Sequence, residues 1–426
     1  MLGSAAREEP VPVPEKWGHV SVVGRPRTLN NGKEALPGGL VTGADYRALG
    51  IVRSLGRRGV PVLVLRGGNE MLAATSRYAC GSLSWSGGNE SEKADFLAHL
   101  ATSRRLKGWA LFPTDDEAVG IVARHHASLS EHFRLTIPPW EKLRWLCDKR
   151  LLHILARDLG IDQPRTFCPH ARQELTSLDC AFPAIVKPTL RETSNPLTIQ
   201  KAWRVDDRQS LLDRYEEATR LLHPGMILVQ ELVPGSGETQ FSYAALCQDG
   251  HPLAWLVARR TRQFPMDFGR FSTYVETVDE PGVIEPAVRL LKSIRYSGLV
   301  EIEFKRDPRD GRYKLLDVNP RVWGWHTLGS PAGVDFAYLV WRMVHGEPVP
   351  EIRGRAGLRW RMASRDRVIA VQEILRGRLS IRRYLRSLSK PTEPAIFASD
   401  DPLPWLIDLP VLGYRLGQRL LRQGRV

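Results

Sequence analysis

The 426-residue sequence has no run approaching 18 consecutive apolar residues, so no membrane-spanning helix is expected. Its opening, MLGSAAREEPVPVPEK, lacks the apolar centre of a secretion signal, and a cytoplasmic location is expected. Cysteine is scarce: Cys80, Cys147, Cys168, Cys180 and Cys247 are scattered, odd in number and form no CxxC pair, which favours reduced thiols over a disulfide framework or a zinc site. The turn TGADYRALG after the first apolar segment is not GxGxxG, so a dinucleotide site there is disfavoured. Although the net charge is +14, no aromatic-interleaved RNA motif or groove-reading helix accompanies it, and nucleic acid is not an expected partner.

The length implies two or three domains. Residues 1–37 are rich in Pro, Gly, Asn and charge and read as a disordered lead-in. From Gly38 to about 140, strand, helix and strand signals alternate, opening with a βαβ unit and forming a small α/β domain. PPWEKLRWLCDKRLLHILARDLG then reads as one helix that carries Lys149 and stops at Gly160. FPAIVKPT is a short apolar strand delivering Lys187 at its end. MILVQELVPG places Gln230, Glu231, Leu232 and Val233 at a strand end before Pro-Gly, a hinge where an adenine could lie edge-on against backbone groups; a plain strand end is the alternative. GETQFSYAALCQDGHPLAWLVARRTRQFP reads as a hairpin with Arg259, Arg260 and Arg262 at its far end, followed by a loop PMDFGRFSTY. Such guanidiniums suit carboxylate or phosphate oxygens, and they also serve as solubilising edge residues.

Residues 296–326, YSGLVEIEFKRDPRDGRYKLLDVNPRVWGWH, form the densest pattern. With period 2, Val300, Ile302 and Phe304 share one strand face, while Glu301, Glu303 and Lys305 share the other. Across a turn, Leu315, Asp317 and Asn319 alternate with Leu316 and Val318. If Asp307 pairs with Tyr313, Glu303 falls opposite Asp317 and Glu301 opposite Asn319. Acids facing one another across a ladder repel, so a positive partner is expected. A hard cation such as Mg²⁺ fits oxygen ligands of this kind. A solvated hairpin face is the bland alternative.

Taken in order, LCDKRLLHILARDLGIDQPRTF, FPAIVKP, ILVQELVPGSGE, GLVEIEFKRD and LLDVNPR resemble the ATP-grasp superfamily. The closer likeness is to its carboxylate–amine ligase group, which includes carbamoyl-phosphate-synthase-like and D-aspartate-ligase-like proteins. The resemblance, which runs from about residue 38 to 350, implies a mixed α/β and α+β chain with a Rossmann-like pre-ATP-grasp domain (38–140) and a two-lobed ATP-grasp domain (141–350); residues 351–426 read, from their own composition, as a basic, mostly helical C-terminal extension. It implies Lys149 and Lys187 as contacts to ATP phosphates, with Lys187 also near the adenine, Glu231 and Val233 at the adenine hinge, and Glu238 at the ribose. Glu303, Asp317 and Asn319 match ligands of Mg²⁺, with Mn²⁺ as the alternative ion, and Arg321 matches the arginine on the transferring phosphoryl group. Arg259 and Arg262 are the expected orienting residues for the acyl substrate. Two departures stand out: Asp317 replaces the more frequent Glu, and the loop TLRETSNPLTIQKA contains no glycine, so either side chains such as Arg191, Thr193, Ser194 and Lys201 substitute for a backbone phosphate cradle or the loop orders only with substrate.

The expected activity is ADP-forming ligation of a carboxylate to an amine through an acyl phosphate, with small-molecule, amino-acid-like substrates. A non-catalytic ATP-binding scaffold is the alternative, supported by the unusual loop. His326 reads as a packing residue before it reads as an acid or base. Residues 351–426 hold 16 Lys+Arg against 7 Asp+Glu. The amphipathic segment from Val411 to Arg425 suits packing or a weak contact with an anionic membrane surface. A homodimer is compatible with the sequence.

Overall fold

Short apolar segments separated by capped helices build the first layer of the molecule. In this computed structural model the described residues are 36–408, apart from 69, 86, 191–194, 265, 267–268, 270 and 390–391. The expected disordered lead-in, up to residue 35, lies outside them, as do Arg191, Thr193, Ser194 and the amphipathic segment from Val411. Strands β1 (Gly39–Thr42), β2 (Val62–Arg66), β3 (Ala79–Ser84), β4 (Ala110–Phe112) and β5 (Arg134–Leu135) form a parallel sheet in the order β3-β2-β1-β4-β5. Helix α1 (Tyr46–Gly56) starts where Asp45 accepts from the backbone of Arg47 and Ala48, and it buries Leu49, Val52 and Leu55. α2 (Glu90–Ser103) begins with an Asn89–Glu92 capping box. α3 (Asp116–Arg124) is capped by Asp115, and α4 (His126–Ser130) leads into β5.

The single helix expected between residues 139 and 160 is two, α5 (Trp140–Cys147) and α6 (Lys149–Asp158). Asp148 between them is extended, and its carboxylate accepts from the backbone of Arg150 at 2.9 Å. A side chain that bonds forward in this way caps a new helix rather than continuing the old one. Lys149 thereby becomes the first residue of α6, with its backbone N–H donating to Thr189 O at 3.1 Å.

A small antiparallel sheet follows, in the order β6 (Thr166–Phe167), β9 (Ile227–Glu231), β7 (Ala184–Pro188), β8 (Trp203–Val205). Helices α7 (Pro196–Gln200) and α8 (Arg208–Thr219) belong to this lobe, whose own core includes Val186, Trp203, Tyr215 and Val229. The second lobe is a large sheet made from β10 (Gln240–Gln248), β11 (His251–Phe264), β12 (Phe271–Val278), then, after α9 (Ile284–Ser293), β13 (Gly298–Arg306) and β14 (Tyr313–Asn319). The expected loop PMDFGRFSTY is shorter than its sequence, since β12 begins at Phe271 and pairs with β11.

Helices α10 (Gly329–Ala332) and α11 (Phe336–Val344) pack beneath this sheet, where Trp323, Trp325 and Phe336 are fully buried together. The C-terminal segment is partly sheet. β15 (Ile352–Arg353) pairs with β11, β16 (Arg359–Arg361) with β12, and β17 (Glu393–Pro394) with β16, interrupted by α12 (Ala363–Leu375) and α13 (Ile381–Leu388). It then returns to α1. Buried Asp401 accepts from Arg53 Nε at 2.9 Å and Ser76 Oγ at 2.6 Å, and Asp400 takes both Arg57 nitrogens and the Tyr78 hydroxyl.

The hairpin register has one correction. Glu303 does face Asp317 and Glu301 faces Asn319, but Tyr313 pairs with Arg306, not Asp307. The shift falls between Glu303 and Phe304, leaving Leu316 as an extra residue on β14. Leu315 and Val318 both enter the core, whereas Leu316 and Asp317 both turn to the opposite side. Simple alternation would have buried Leu316 and exposed Leu315.

Candidate active site

Two cavities meet along the acid-bearing face of the hairpin. The first, about 730 Å³, opens between the small sheet and β13–β14, and its lining includes Lys149, Lys187, the strand end Gln230 to Val233, Glu303 and Asp317. Lys187 is buried and donates to Gln230 Oε1 at 2.9 Å. Gln230 in turn donates to His153 Nε2 at 3.0 Å and Thr166 Oγ1 at 2.7 Å, while His153 Nδ1 meets Gln163 Oε1. This network assigns the proton of His153 to Nδ1. Burial, helped by the Lys187 charge, pushes His153 down to about 3, so it stays neutral as the network requires. Burial also lowers Lys187 to about 8, against the pull of Asp317. A buried ammonium whose direct partner is a neutral amide is poised to take an anionic ligand.

The acids are not free. Glu303 sits 2.5 Å from Arg260 and accepts from Gln240 at 2.9 Å; Asn319 donates to Glu303 at 3.0 Å and to Glu301 at 3.1 Å. Asp317 lies 3.4 Å from Lys149 Nζ. Glu301 takes neutral donors as well, Ser242 Oγ at 2.9 Å and Trp325 Nε1 at 3.0 Å. Burial and the neighbouring charge of Glu303 raise its pKa. Cations thus already stand where the ladder opposes its carboxylates, which is why acids opposed across it are tolerated.

The second cavity, about 1430 Å³, lies between the first layer and the hairpin. Arg260, Arg321, Asn319 and Trp323 line it from one side, Asp45, Arg47, Asp115 and Asp116 from the other. Arg321 Nε donates to Asp116 at 2.6 Å and its NH2 to Asn319 Oδ1 at 3.4 Å, so one guanidinium ties the N-terminal wall to the end of β14. Glu303 and Lys201 line both cavities.

Comparison with known proteins bears on the fold and the family. Residues 226–364 match a family described as ATP-grasp in the biosynthetic pathway with Ter operon. D-aspartate ligase of Enterococcus faecium is 23% identical over 244 residues, covering 53% of this chain and 56% of that one. The C-terminal section of the carbamoyl phosphate synthase large chain of Methanopyrus kandleri is 24% identical over 212 residues, covering 48% of this chain and 38% of that one. The chain spans about half the length of these curated relatives, or less. The L-amino acid ligase of Bacillus licheniformis superposes with a TM-score of 0.57 at 16% identity, covering 73% of this chain and 76% of that one. Residues 226–364 thus resemble the ATP-grasp family, and the solved structure shares the fold.

Within the ATP-grasp fold, the expected residues separate into two groups. Lys149, Lys187, Gln230, Glu231, Leu232, Val233, Glu303 and Asp317 converge on the first cavity, and Asn319 and Arg321 on the second. Glu238, Arg259 and Arg262 do not join them. Glu238 pairs with Arg383 of α13, away from the first cavity. Arg262 forms a buried two-pronged pair with Asp366 of α12 at 2.8 Å and stacks 4.0 Å from the Tyr274 ring centroid; Arg259 pairs with Glu276. Register shifts on either side of Arg262 divide the cluster between the two faces of β11, and Arg260 is the member that reaches the acids.

His153 follows Lys149 by four residues, so helical spacing puts both on one face of α6, where Lys149 lines the first cavity and His153 stands behind Gln230. His326 is buried with Nε2 3.0 Å from Arg47 O, beneath Gly50, where a Cβ would come within 2.5 Å of that nitrogen. Burial lowers it to about 4, and it packs.

The donor set suits a hard cation bound together with a phosphate. No three His, Cys, Asp or Glu side chains converge as a complete metal cage among the described residues. Two opposed carboxylates and an amide oxygen beside buried lysines are instead an oxygen set of the kind that a hard cation would share with ligand phosphates and water.

Proposed function

We propose that the chain is an ADP-forming ligase that joins a small carboxylate to an amine at the expense of ATP. The observation that carries this reading is that Glu303 and Lys201 line both cavities, so a nucleotide in one and an acyl substrate in the other would meet at their junction. The ligase names of the curated relatives support the same reaction class.

Lys149 and Lys187 hold phosphate oxygens, and the strand end from Gln230 to Val233 borders the base. Glu303, Asp317 and Asn319 hold Mg²⁺, which when bound neutralises phosphate charge and holds the nucleotide in register. Arg260 and Arg321 face the acyl substrate and the transferring group. A carboxylate oxygen attacks the terminal phosphorus as the bond to ADP breaks, giving an acyl phosphate; the amine then attacks the carbonyl carbon, phosphate leaves and the nitrogen loses a proton. Positioning and charge complementarity supply the catalysis, and no covalent protein nucleophile is needed.

The test is ADP and phosphate release from Mg-ATP with a panel of amino acids, with hydroxylamine added to trap acyl phosphate as hydroxamate. Substrate-dependent ADP together with hydroxamate is expected. Absence of ATP binding, or turnover unchanged in Glu303→Ala and Asp317→Ala, would overturn the assignment.

A further inference from the structure

The far face of β11 carries a second cation-lined space, unconnected with the proposed chemistry. A cavity of about 920 Å³ lies between the large sheet and helices α12 and α13. Arg259, Arg262, Arg359, Arg378, Arg383 and Arg386 line it against Glu238, Glu276 and Glu373. Even with Asp366, which holds Arg262, the acids fall short of the guanidiniums. Glu276 is shared by Arg259 and Arg359, and Arg386 has no acidic partner among the described residues. Arg259 Nε and Thr261 Oγ1 are buried with no hydrogen-bond partner, although both residues line this space. Those two atoms lie within the wall, and it is the unbalanced guanidiniums that face the open space.

We propose that this cavity is a binding site for a small, multiply charged, phosphate-bearing anion. Guanidinium forks match phosphate oxygens in pairs, and here they converge from three directions, the strand β11, the strand β16 and the helix α13. The volume admits a group larger than a single carboxylate. Glu238, paired with Arg383, sits seven residues beyond Glu231 on the segment leaving the first cavity, so the anion binds where α13 meets that segment.

The probe is inorganic pyrophosphate, titrated by calorimetry at low salt into the full chain carrying Lys187→Met, which removes a phosphate contact from the first cavity. Saturable binding is expected. Arg383→Gln with Arg386→Gln, both on an exposed helix, weakens it by at least about tenfold. Arg214→Gln with Arg220→Gln removes the same charge from α8 and its C-terminal cap and leaves it unchanged. Matching thermal melts establish that each variant folds. No binding, binding indifferent to the α13 pair, or equal losses from both pairs overturns the site; citrate binding tenfold more tightly than pyrophosphate overturns the phosphate assignment. The titration contains no ATP, Mg²⁺ or substrate, so its outcome is independent of the ligase reading.

Discussion

The β13–β14 hairpin and the β11–β12 ladder are both antiparallel, both carry a row of charge and both contain a register shift, yet they put that charge to different uses. In the hairpin, the extra residue Leu316 lies on the turn side of the acids, so Glu301, Glu303, Asp317 and Asn319 keep one face. In β11 the irregularity falls inside the arginine cluster, and Arg260 turns to the acids while Arg259 and Arg262 turn to α12 and α13. A bulge moves function when it interrupts a functional row and merely reshapes a strand when it lies outside one.

The sharpest way to break this contrast is to remove charge from each strand in turn. Glu303→Ala or Asp317→Ala is expected to lower kcat by at least about a hundredfold, whereas Arg259→Gln, half-exposed, stays within about threefold. Steady-state assays on folded protein check both; a large loss in Arg259→Gln would return the acyl substrate to the far face. Next in size is stability. Arg262→Ala leaves Asp366 buried without its cation and should destabilise by about 3–5 kcal/mol. Pairing it with Asp366→Leu should recover much of that in denaturant unfolding, and failure to recover would mean that the pair has a further partner.

Titration gives an intermediate effect. Lys187 falls from an ordinary value of 10.5 to about 8 on folding. Below pH 8 it is charged in both states and its burial penalty is constant. Between 8 and 10.5 the unfolded chain holds a proton that the folded chain has lost, so stability rises with pH there relative to Lys187→Met. ATP affinity should move the opposite way, weakening as pH rises through about 8 because the phosphate-binding charge is lost. Parallel unfolding and binding curves on the two proteins read both signs. The smallest expected effect concerns the bulge itself. Leu316→Ala trims apolar surface from the first cavity and should weaken ATP binding severalfold, about 1 kcal/mol, with kcat little changed.

Much of the site was legible because period-2 alternation and turn length fix which side chains share a face. That was enough to set Glu303 opposite Asp317. What stayed hidden depended on single-residue events that composition does not mark: Asp148 ending one helix by capping the next, Leu316 doubling a strand position, and the shifts around Arg262. The ordered motifs located the ATP-grasp fold, but the partners of Glu238, Arg259 and Arg262 lie more than 80 residues away or across a sheet, beyond any local pattern. The network through His153 was half visible, since its spacing from Lys149 is local and its bond to Gln230 is not.

The clasp between Asp400–Asp401 and the first helix also bears on how the protein is made. The N-terminal wall of the large cavity rests on α1, and α1 is fixed through Arg53 and Arg57 by residues made about 350 positions later. During synthesis the parallel sheet can fold early, but its helix lacks this clasp until Asp401 has left the ribosome. The cleft therefore acquires its final shape only once synthesis has passed that point, and a chain stalled short of it would carry every expected Mg²⁺ and phosphate ligand beside a wall not yet fastened.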